Sequence, residues 1–259
     1  MRQFGLIGMP VDHSASPGYF AQKWEKEGIS DCSYRLFPLH SLRELPDLLK
    51  ANPELRGLNV TSPFKQEALA LADEADETAL RIGSANVLYI DTQQHITAYN
   101  TDHLGFDRIL DQLPTLPPAV LICGSGGAAR AVRYSLERHG IPSILLSRHS
   151  GADRIGYEAV DSSLMQSHPL VINATPLGMG KFTGQTPPLP YECLTPAQVL
   201  VDLIYHPAET AFLQTGRRKG CRCIGGLAML HGQADAAWEL WAERTGGKKT
   251  AEHEKPYKK

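Results

Sequence analysis

The feature that most constrains this chain is a glycine-rich turn between a short apolar run and an amphipathic stretch. Residues 119–123 are apolar, Gly124, Gly126 and Ala129 follow at G-x-G-x-x-A spacing, and residues 128–139 have a helical pattern. In such a turn the first glycine permits a tight bend, the second lets the backbone approach a pyrophosphate, and the small third residue brings helix and strand together. The helix N-terminus provides an anion site. The sequence therefore predicts a dinucleotide-binding βαβ unit.

The end of the next predicted strand, residues 143–147, bears on which dinucleotide would bind. An NAD-specific fold usually has Asp or Glu about 20 residues beyond the glycines, where it binds the ribose hydroxyls. Here the strand ends in Ser147-Arg148-His149, so that a cation stands where a 2′-phosphate would lie. This favours NADP(H), although Arg148 as an ordinary exposed charge stays open.

Short apolar runs alternate with helical-length stretches along the whole chain, which predicts an α/β fold. A proline cluster, Pro114, Pro117 and Pro118, marks the approach to the second half. We expect an N-terminal α/β substrate domain (residues 1–104, completed by about 228–259) and a Rossmann-type dinucleotide-binding domain (residues 105–227). The predicted strands are residues 4–7, 33–38, 57–61, 85–91, 95–99, 119–123, 143–147, 170–174 and 199–204, and the predicted helices are 18–26, 42–51, one from about 65, 128–139 and 232–244.

Composition narrows the class of partner. Lys and Arg total 26 and Asp and Glu total 28, a net charge of −2, which is too balanced for a broad nucleic-acid or membrane surface. A small-molecule partner is therefore expected. The apolar runs are too short to span a bilayer and the first residues lack the apolar core of a signal peptide, so that we expect a cytoplasmic protein.

The cysteines and the C-terminal tail give simpler expectations. Five cysteines are an odd number, which predicts free thiols. Cys221 and Cys223 have no second pair at zinc spacing, so that no metal site is expected. The lysine-containing tail from Gly246 onward predicts a solvated terminus.

Polar clusters in the first half follow predicted strands, where α/β proteins build their sites. Ser14 and Ser16 are predicted to lie on one side of an extended segment and to donate to a carboxylate, with a simple turn as the alternative. Lys65, just after Pro63, is a candidate acid/base that Asp102 could orient. Asn86 could hold a substrate hydroxyl or lie in a turn.

Together these segments closely resemble the shikimate dehydrogenase family, in family order over roughly residues 4–241. The matching strings are Gly8-x-Pro10-Val11-x-His13-Ser14-x-Ser16-Pro17, Asn59-Val60-Thr61-x-Pro63-x-Lys65, Gly83-x-x-Asn86, Asn100-Thr101-Asp102, Gly124-x-Gly126-Gly127-Ala128-Ala129-Arg130, Asn173-Ala174-Thr175-Pro176-x-Gly178-Met179, Asp202-x-x-Tyr205-x-Pro207-x-x-Thr210 and Gly226-Leu227-x-Met229-Leu230-x-x-Gln233-Ala234.

The resemblance implies an NADP-dependent oxidoreductase that interconverts shikimate and 3-dehydroshikimate in the biosynthesis of chorismate and the aromatic amino acids. It implies a C-terminal helix that returns to the first domain, and a monomer or homodimer. Lys65 and Asp102 would be the catalytic pair. The implied substrate-binding residues are Ser14, Ser16, Asn59, Thr61, Asn86, Tyr205 and Gln233, and the implied cofactor-binding residues are Glu77, Gly124, Ser125, Gly126, Gly127, Ala128, Ser147, Arg148, His149, Thr175, Leu203 and Gly226.

Two departures from the family pattern affect the cofactor site. The family commonly has Asn-Arg-Thr where this chain has Ser147-Arg148-His149, and Arg154 is the nearest candidate for its next basic residue. Ser125 replaces a usual alanine. A paralogue that acts on quinate, with relaxed cofactor use, and a catalytically silent binding module are the alternatives to a shikimate dehydrogenase.

Overall fold

A computed structural model describes residues 1–246 as two compact units. The first unit is Met1–Thr101 together with the segment that begins at Ala234, and the second is Asp102–Gln233. The domain boundaries predicted after residues 104 and 227 remain predictions, because compactness alone does not define a folding unit. The predicted solvated tail lies beyond residue 246, outside the described residues. Within the described residues, no helix is both long and apolar enough to cross a membrane.

The first unit is built on a mixed six-stranded sheet in the order β2-β1-β3-β5-β6-β4. Strand β1 pairs in parallel with both β2 and β3, whereas β5 pairs antiparallel with both β3 and β6. The strands are β1 (Arg2–Gly8), β2 (Cys32–Pro38), β3 (Leu55–Val60), β4 (Glu74–Ala75), β5 (Val87–Ile90) and β6 (Ile96–Tyr99), and the helices are α1 (Ser16–Glu27), α2 (Leu45–Ala51), α3 (Lys65–Leu71) and α4 (Glu77–Ile82).

Local chemistry explains where the helices of this unit begin and end. Pro17 lies in the first turn of α1, where its missing N–H costs nothing, and Gly28 ends that helix at φ 67°. Ser41 caps the 3₁₀ turn before α2 in a capping box with Glu44. These signals are local in sequence, which is why they predict the helix boundaries well.

The second unit has six parallel strands in the order β12-β11-β10-β7-β8-β9, as expected for a Rossmann-type domain. Its strands are β7 (Val120–Cys123), β8 (Ser143–Ser147), β9 (Arg154–Gly156), β10 (Leu170–Asn173), β11 (Val199–Asp202) and β12 (Arg222–Ile224), and its helices are α5 (Asp102–Leu110), α6 (Gly127–Arg138), α7 (Ser162–Ser167) and α8 (Ala211–Arg218); the final helix, α9, is Leu227–Arg244.

The α/β class, the parallel second sheet and the predicted long elements are confirmed. The chain also returns to the first unit as predicted, because the part of α9 from Ala234 onward belongs to that unit. There Trp238 and Trp241 are fully buried and contact Phe4, with the Trp241 ring centroid 4.9 Å from that of Phe4. The predicted start of α9 at residue 232 is wrong by five residues, since the helix begins at Leu227.

Candidate active site and cofactor-binding loops

In the first unit, the carboxamide of Asn86 is hydrogen-bonded to Thr101 through both of its polar atoms. The Asn86 Oδ1 accepts from the Thr101 backbone N–H at 2.6 Å, and the Asn86 Nδ2 donates to the Thr101 Oγ1 at 3.1 Å. Both residues are buried. One residue earlier, Asn100 donates through its Nδ2 to the carbonyl of Ser84 at 2.8 Å. Two amides therefore fix the backbone that leads into Asp102.

Asn59 and Lys65 lie beside this pair in the same unit. The Tyr34 hydroxyl donates to the Asn59 Oδ1 at 2.6 Å, which leaves the Asn59 Nδ2 directed towards the carbonyl of Asn86, 3.5 Å away. Lys65 begins α3, and its carbonyl accepts from the N–H of Ala85 at 2.8 Å. The structure therefore brings three predicted site residues, Asn59, Lys65 and Asn86, to one end of the sheet.

Thr61, Ser14 and Ser16 follow the carboxyl ends of β3 and β1. The N–H of Thr61 donates to the carbonyl of Ile7, the penultimate residue of β1, at 2.9 Å. The prediction that Ser14 and Ser16 share an extended segment is wrong. Ser16 is the first residue of α1 and its N–H donates to the Ser14 Oγ at 3.2 Å, because a proline in the first helical turn and a hydroxyl that accepts a backbone N–H both favour a turn here.

The remaining predicted site residues divide between the two units. Glu77, the first residue of α4, is exposed in the first unit, whereas the other predicted cofactor residues are in the second. Asp102 is the buried first residue of α5 in the second unit. Tyr205 and Gln233 are half-buried in the second unit, and the Gln233 Nε2 donates to the carbonyl of Leu230 at 3.0 Å.

The glycine loop of the second unit has the form that a dinucleotide phosphate requires. Gly124 has φ 114°, and a Cβ there would lie 3.0 Å from the carbonyl oxygen of Ala174. A Cβ on Gly126 would meet nothing within 4 Å, so that this part of the backbone is bare. Helix α6 has twelve residues. Its N-cap is Gly126, so that no side chain caps its N-terminus. Ser125, Gly127 and Ala128 complete a loop whose backbone N–H groups fit a pyrophosphate.

The segment predicted to discriminate NADP from NAD is exposed and locally ordered. The Ser147 Oγ donates to the carbonyl of His149 at 2.8 Å and accepts from its N–H at 3.2 Å, so that the hydroxyl closes a small turn around Arg148. Arg148 is exposed. Arg154, the candidate second cation, is half-buried on β9, beside Asp153. No acidic residue occupies the turn, which fits a 2′-phosphate.

Three further predicted cofactor residues converge at the carboxyl ends of β10 to β12. Thr175 follows β10, and its Oγ1 donates to the Asn173 Oδ1 at 2.6 Å. Leu203 follows β11, and its N–H donates to the carbonyl of Asn173 at 3.0 Å. A Cβ on Gly226 would overlap the carbonyl oxygen of Leu203, which explains why this position suits glycine.

Sequence reasoning missed the polar residues behind these loops. Three such residues occur in the strings that match the family, namely Asn173, Asp202 and Thr210. Their spacing along the sequence did not indicate a function for any of them. Strand pairing would have been the useful signal, because Cys123, Asn173 and Asp202 occupy matching final positions on three neighbouring parallel strands. Tyr34, which bonds to Asn59, has no comparable signal in the sequence.

The cysteines of the described part of the chain are free, as predicted. Cys221 and Cys223 donate to the carbonyls of Thr195 and Leu213, respectively. Among residues 1–246, no three or more His, Cys, Asp or Glu side chains are grouped in a way that could hold a metal ion.

Comparison with known proteins gives a consistent result. The family model for the shikimate dehydrogenase substrate binding domain matches residues 6–88. The shikimate dehydrogenase (NADP(+)) of Paracoccus denitrificans is 37% identical over 261 residues, covering 92% of this chain and 89% of that protein.

Solved structures agree over nearly the whole chain. The shikimate 5-dehydrogenase of Thermus thermophilus in complex with NADP(H) and shikimate has a TM-score of 0.82 and 32% identity, covering 94% of each chain. A quinate dehydrogenase from Corynebacterium glutamicum in complex with NAD has a TM-score of 0.78 and 30% identity, covering 93% of this chain and 94% of that one.

Proposed function

This chain belongs to the shikimate dehydrogenase family, and from that premise we propose that Lys65 and Asp102 carry the proton transfer of its reaction. The chain is an NADP-dependent oxidoreductase that acts on a CH–OH group and interconverts shikimate and 3-dehydroshikimate. This is a step of the shikimate pathway, which leads to the aromatic amino acids. The substrate is therefore a small molecule.

The chemistry divides between cofactor and protein. When bound, NADP⁺ would supply the acceptor for the hydride of the ring carbon. The attached hydroxyl must lose its proton in the same oxidation, and the Lys65 amine accepts that proton in its neutral form. Asp102 orients the lysine and stabilises its charged form. In the direction of reduction, the protonated Lys65 returns the proton to the carbonyl oxygen.

The substrate is positioned by neutral polar groups. Ser14, Ser16 and Tyr205 donate hydroxyl hydrogens to the carboxylate. Neutral donors bind a carboxylate less strongly than arginine does, so that the match of hydroxyl geometry decides specificity. The ring hydroxyls are bound by four side chains, namely Asn59, Thr61, Asn86 and Gln233.

The cofactor is held by the loops of the second unit and by Glu77 of the first. The backbone at Gly124, Ser125, Gly126, Gly127 and Ala128 binds the pyrophosphate at the uncapped N-terminus of α6. The 2′-phosphate is bound by three consecutive residues, Ser147, Arg148 and His149. Thr175, Leu203 and Gly226 line the path of the remaining part of the cofactor.

The observation that carries the proposal is the grouping of Lys65, Asn59 and Asn86 at one end of the first sheet. The test is replacement of Lys65 by alanine, with replacement of the exposed Lys50 on α2 as the matched control. We expect Lys65→Ala to lower kcat by about 10²–10⁴-fold, the usual range for a lost general acid or base, with a much smaller change in KM for shikimate. Lys50→Ala should behave as the wild type, and equal turnover by the Lys65 variant would contradict the assigned role.

Substrate and cofactor preference are tested together by absorbance at 340 nm. Shikimate and quinate are each assayed with NADP⁺ and NAD⁺. Fast turnover with shikimate and NADP⁺ is expected. Comparable rates with quinate or NAD⁺ would favour the second candidate function, a quinate-directed paralogue with relaxed cofactor use, which is considered because the chain is similar to a quinate dehydrogenase. Four flat traces with detectable NADP⁺ binding would indicate a silent binding module.

The remaining proposals concern where and with what the chain acts. We propose a cytoplasmic enzyme, acting as a monomer or homodimer, that has no nucleic-acid or membrane partner. Its balanced charge of −2 supports the last point. Fractionation of cells and light scattering of the purified protein test these statements.

A further inference from the structure

A buried carboxylate that the proposed function does not use lies at the end of β11. Asp202 is completely inaccessible to solvent, and both of its carboxylate oxygens accept hydrogen bonds from other residues of the protein. Its Oδ1 accepts from the N–H of Ile204 at 3.0 Å and from the Asn173 Nδ2 at 3.1 Å, and its Oδ2 accepts from the Thr210 hydroxyl at 2.6 Å. One side chain therefore joins the end of β10, the loop after β11 and the start of α8.

Asn173 extends this network into the loop that follows β10. Its Nδ2 also donates to the carbonyl of Leu177 at 3.0 Å, and its Oδ1 accepts both the N–H and the hydroxyl of Thr175, at 3.0 and 2.6 Å. The Thr175 Oγ1 accepts in turn from the N–H of Leu177 at 3.2 Å. The conformation of this loop is therefore set by an amide that Asp202 holds in place.

A carboxylate is energetically unfavourable at a buried position whose role is only to fill space. Burying a charge is unfavourable unless hydrogen bonds compensate, and burial raises the pKa of Asp202 above its ordinary value. An apolar side chain would avoid the buried charge, but it would remove the acceptor of the Ile204 N–H and of the Thr210 hydroxyl and one of the two acceptors of the Asn173 Nδ2. The hydrogen bonds of the carboxylate thus fix the arrangement of two loops.

We propose that Asp202 is a positioning residue that holds the Thr175 and Leu203 loops in the conformation that binds NADP⁺. The inference rests on the proposed function for the roles of Thr175 and Leu203. Asp202 does not contact the cofactor in this proposal, but acts through Asn173 and through the backbone at Ile204. Its loss should therefore weaken cofactor binding even in the fully folded protein.

The test compares Asp202→Ala and Asp202→Asn with the wild type by calorimetric titration with NADP⁺, well below each melting temperature. We expect Asp202→Ala to raise the Kd by about tenfold to a hundredfold, because the two loops would no longer be held in the conformation that binds the cofactor. Asp202→Asn keeps an oxygen for Ile204 and Asn173, so that its Kd should stay within about threefold. This rescue distinguishes positioning through the Oδ1 contacts from a general need for charge.

Asp107 provides a matched control, because it is another buried aspartate of the same unit. Its carboxylate bonds to Ser135, Arg138 and His139, around the last turn of α6. Ser135 is eight residues beyond Gly127, which places it about 12 Å along the helix from the glycine loop. Asp107→Ala should lower the melting temperature and leave the Kd for NADP⁺ within about twofold of the wild-type value.

Asn173→Ala is the second variant should Asp202→Ala not fold, and the same rise in Kd is expected of it. A folded variant of either kind that binds NADP⁺ as tightly as the wild type would overturn the inference, even if its melting temperature were lower. NADP⁺ binding and shikimate oxidation, both measured on the wild-type protein, distinguish a failure of this inference from a failure of the proposed function. A wild-type protein that binds NADP⁺ without oxidising shikimate refutes the function alone, whereas one that does not bind NADP⁺ refutes both.

Discussion

The pairing of Asn86 with Thr101 allows a prediction whose size follows from the structure. Asn86 is a buried residue, and its replacement by alanine removes a donor and an acceptor and leaves the Thr101 N–H without its 2.6 Å acceptor. An unsatisfied buried donor costs about 1–3 kcal/mol, and the lost bond to the Thr101 hydroxyl adds about 1 kcal/mol. The free energy of unfolding should therefore fall by about 2–4 kcal/mol, a large part of the total for a typical domain.

Urea unfolding measures this loss. With an unfolding slope of about 2 kcal/mol per molar urea, the midpoint should fall by about 1–2 M. Thr101→Val is the matched control, because it removes the hydroxyl and keeps the backbone N–H that donates to the Asn86 Oδ1. Its loss should be about 1–3 kcal/mol, because the Asn86 Nδ2 loses its Oγ1 acceptor, and it should be smaller than that of Asn86→Ala, which also removes the acceptor of the Thr101 N–H.

Kinetics separates the stability of this pair from its role in the site. Thr101 directly precedes Asp102 and Asn86 is itself proposed to bind a ring hydroxyl, so that Asn86→Ala should also lower kcat/KM for shikimate in the folded variant. If Asn86→Ala unfolds at the same urea concentration as the wild type, the two bonds do not stabilise the fold and the reasoning fails.

Three other predictions concern a close contact, a thiol and a surface ion pair. Gly226→Ala should weaken NADP⁺ binding at least tenfold in titrations, because the added Cβ would displace the Leu203 carbonyl, and unchanged binding would contradict this. Burial raises the pKa of Cys32 to about 12, so that iodoacetamide at pH 8 should alkylate it about a thousandfold more slowly than free N-acetylcysteine, as followed by mass spectrometry. The hydrogen bond from Arg2 lowers the pKa of Asp31 below 3.8, so the folded state binds the proton less readily than the unfolded state. Its stabilisation is therefore present above pH 3.8 and lost as the pH falls through the folded pKa. Asp31→Ala should lower the free energy of unfolding by at most about 1 kcal/mol at pH 7 and by less at pH 3, because the Asp31 side chain is largely exposed.

The fold was predictable where a pattern is long enough to repeat. Helix α6 and the strands on either side of it could be predicted from residues 119–147, because the apolar run, the glycine turn and the helical pattern all occur within that one segment. By contrast, β4 has two residues and β12 has three, so that neither can show an alternation of period two. Such strands exist because a neighbouring strand offers hydrogen bonds, which is information from elsewhere in the chain.

The candidate site divides in the same way. Lys65 and the glycine loop were predicted from local motifs, whereas the bonds of Asn86 to Thr101 and of Asn173 to Asp202 join residues 15 and 29 positions apart. Only the register of the sheet brings such residues together. The Ser14 and Ser16 segment was mispredicted for a related reason, since a hydroxyl can serve a ligand or its own backbone, and composition does not distinguish the two.

In each of the two units, an asparagine carboxamide holds a segment that carries a proposed site residue. A carboxamide carries a donor and an acceptor in one plane, so that a single uncharged side chain can bond to both kinds of polar group in a neighbouring segment. Asn86 uses both to fix Thr101, immediately before the proposed catalytic Asp102. Asn173 uses both to fix the loop that carries Thr175, and Asp202 holds Asn173 in turn. Substitution of either asparagine by aspartate should therefore be harmful although the shape is kept, because the carboxylate lacks the N–H donors on which each arrangement depends.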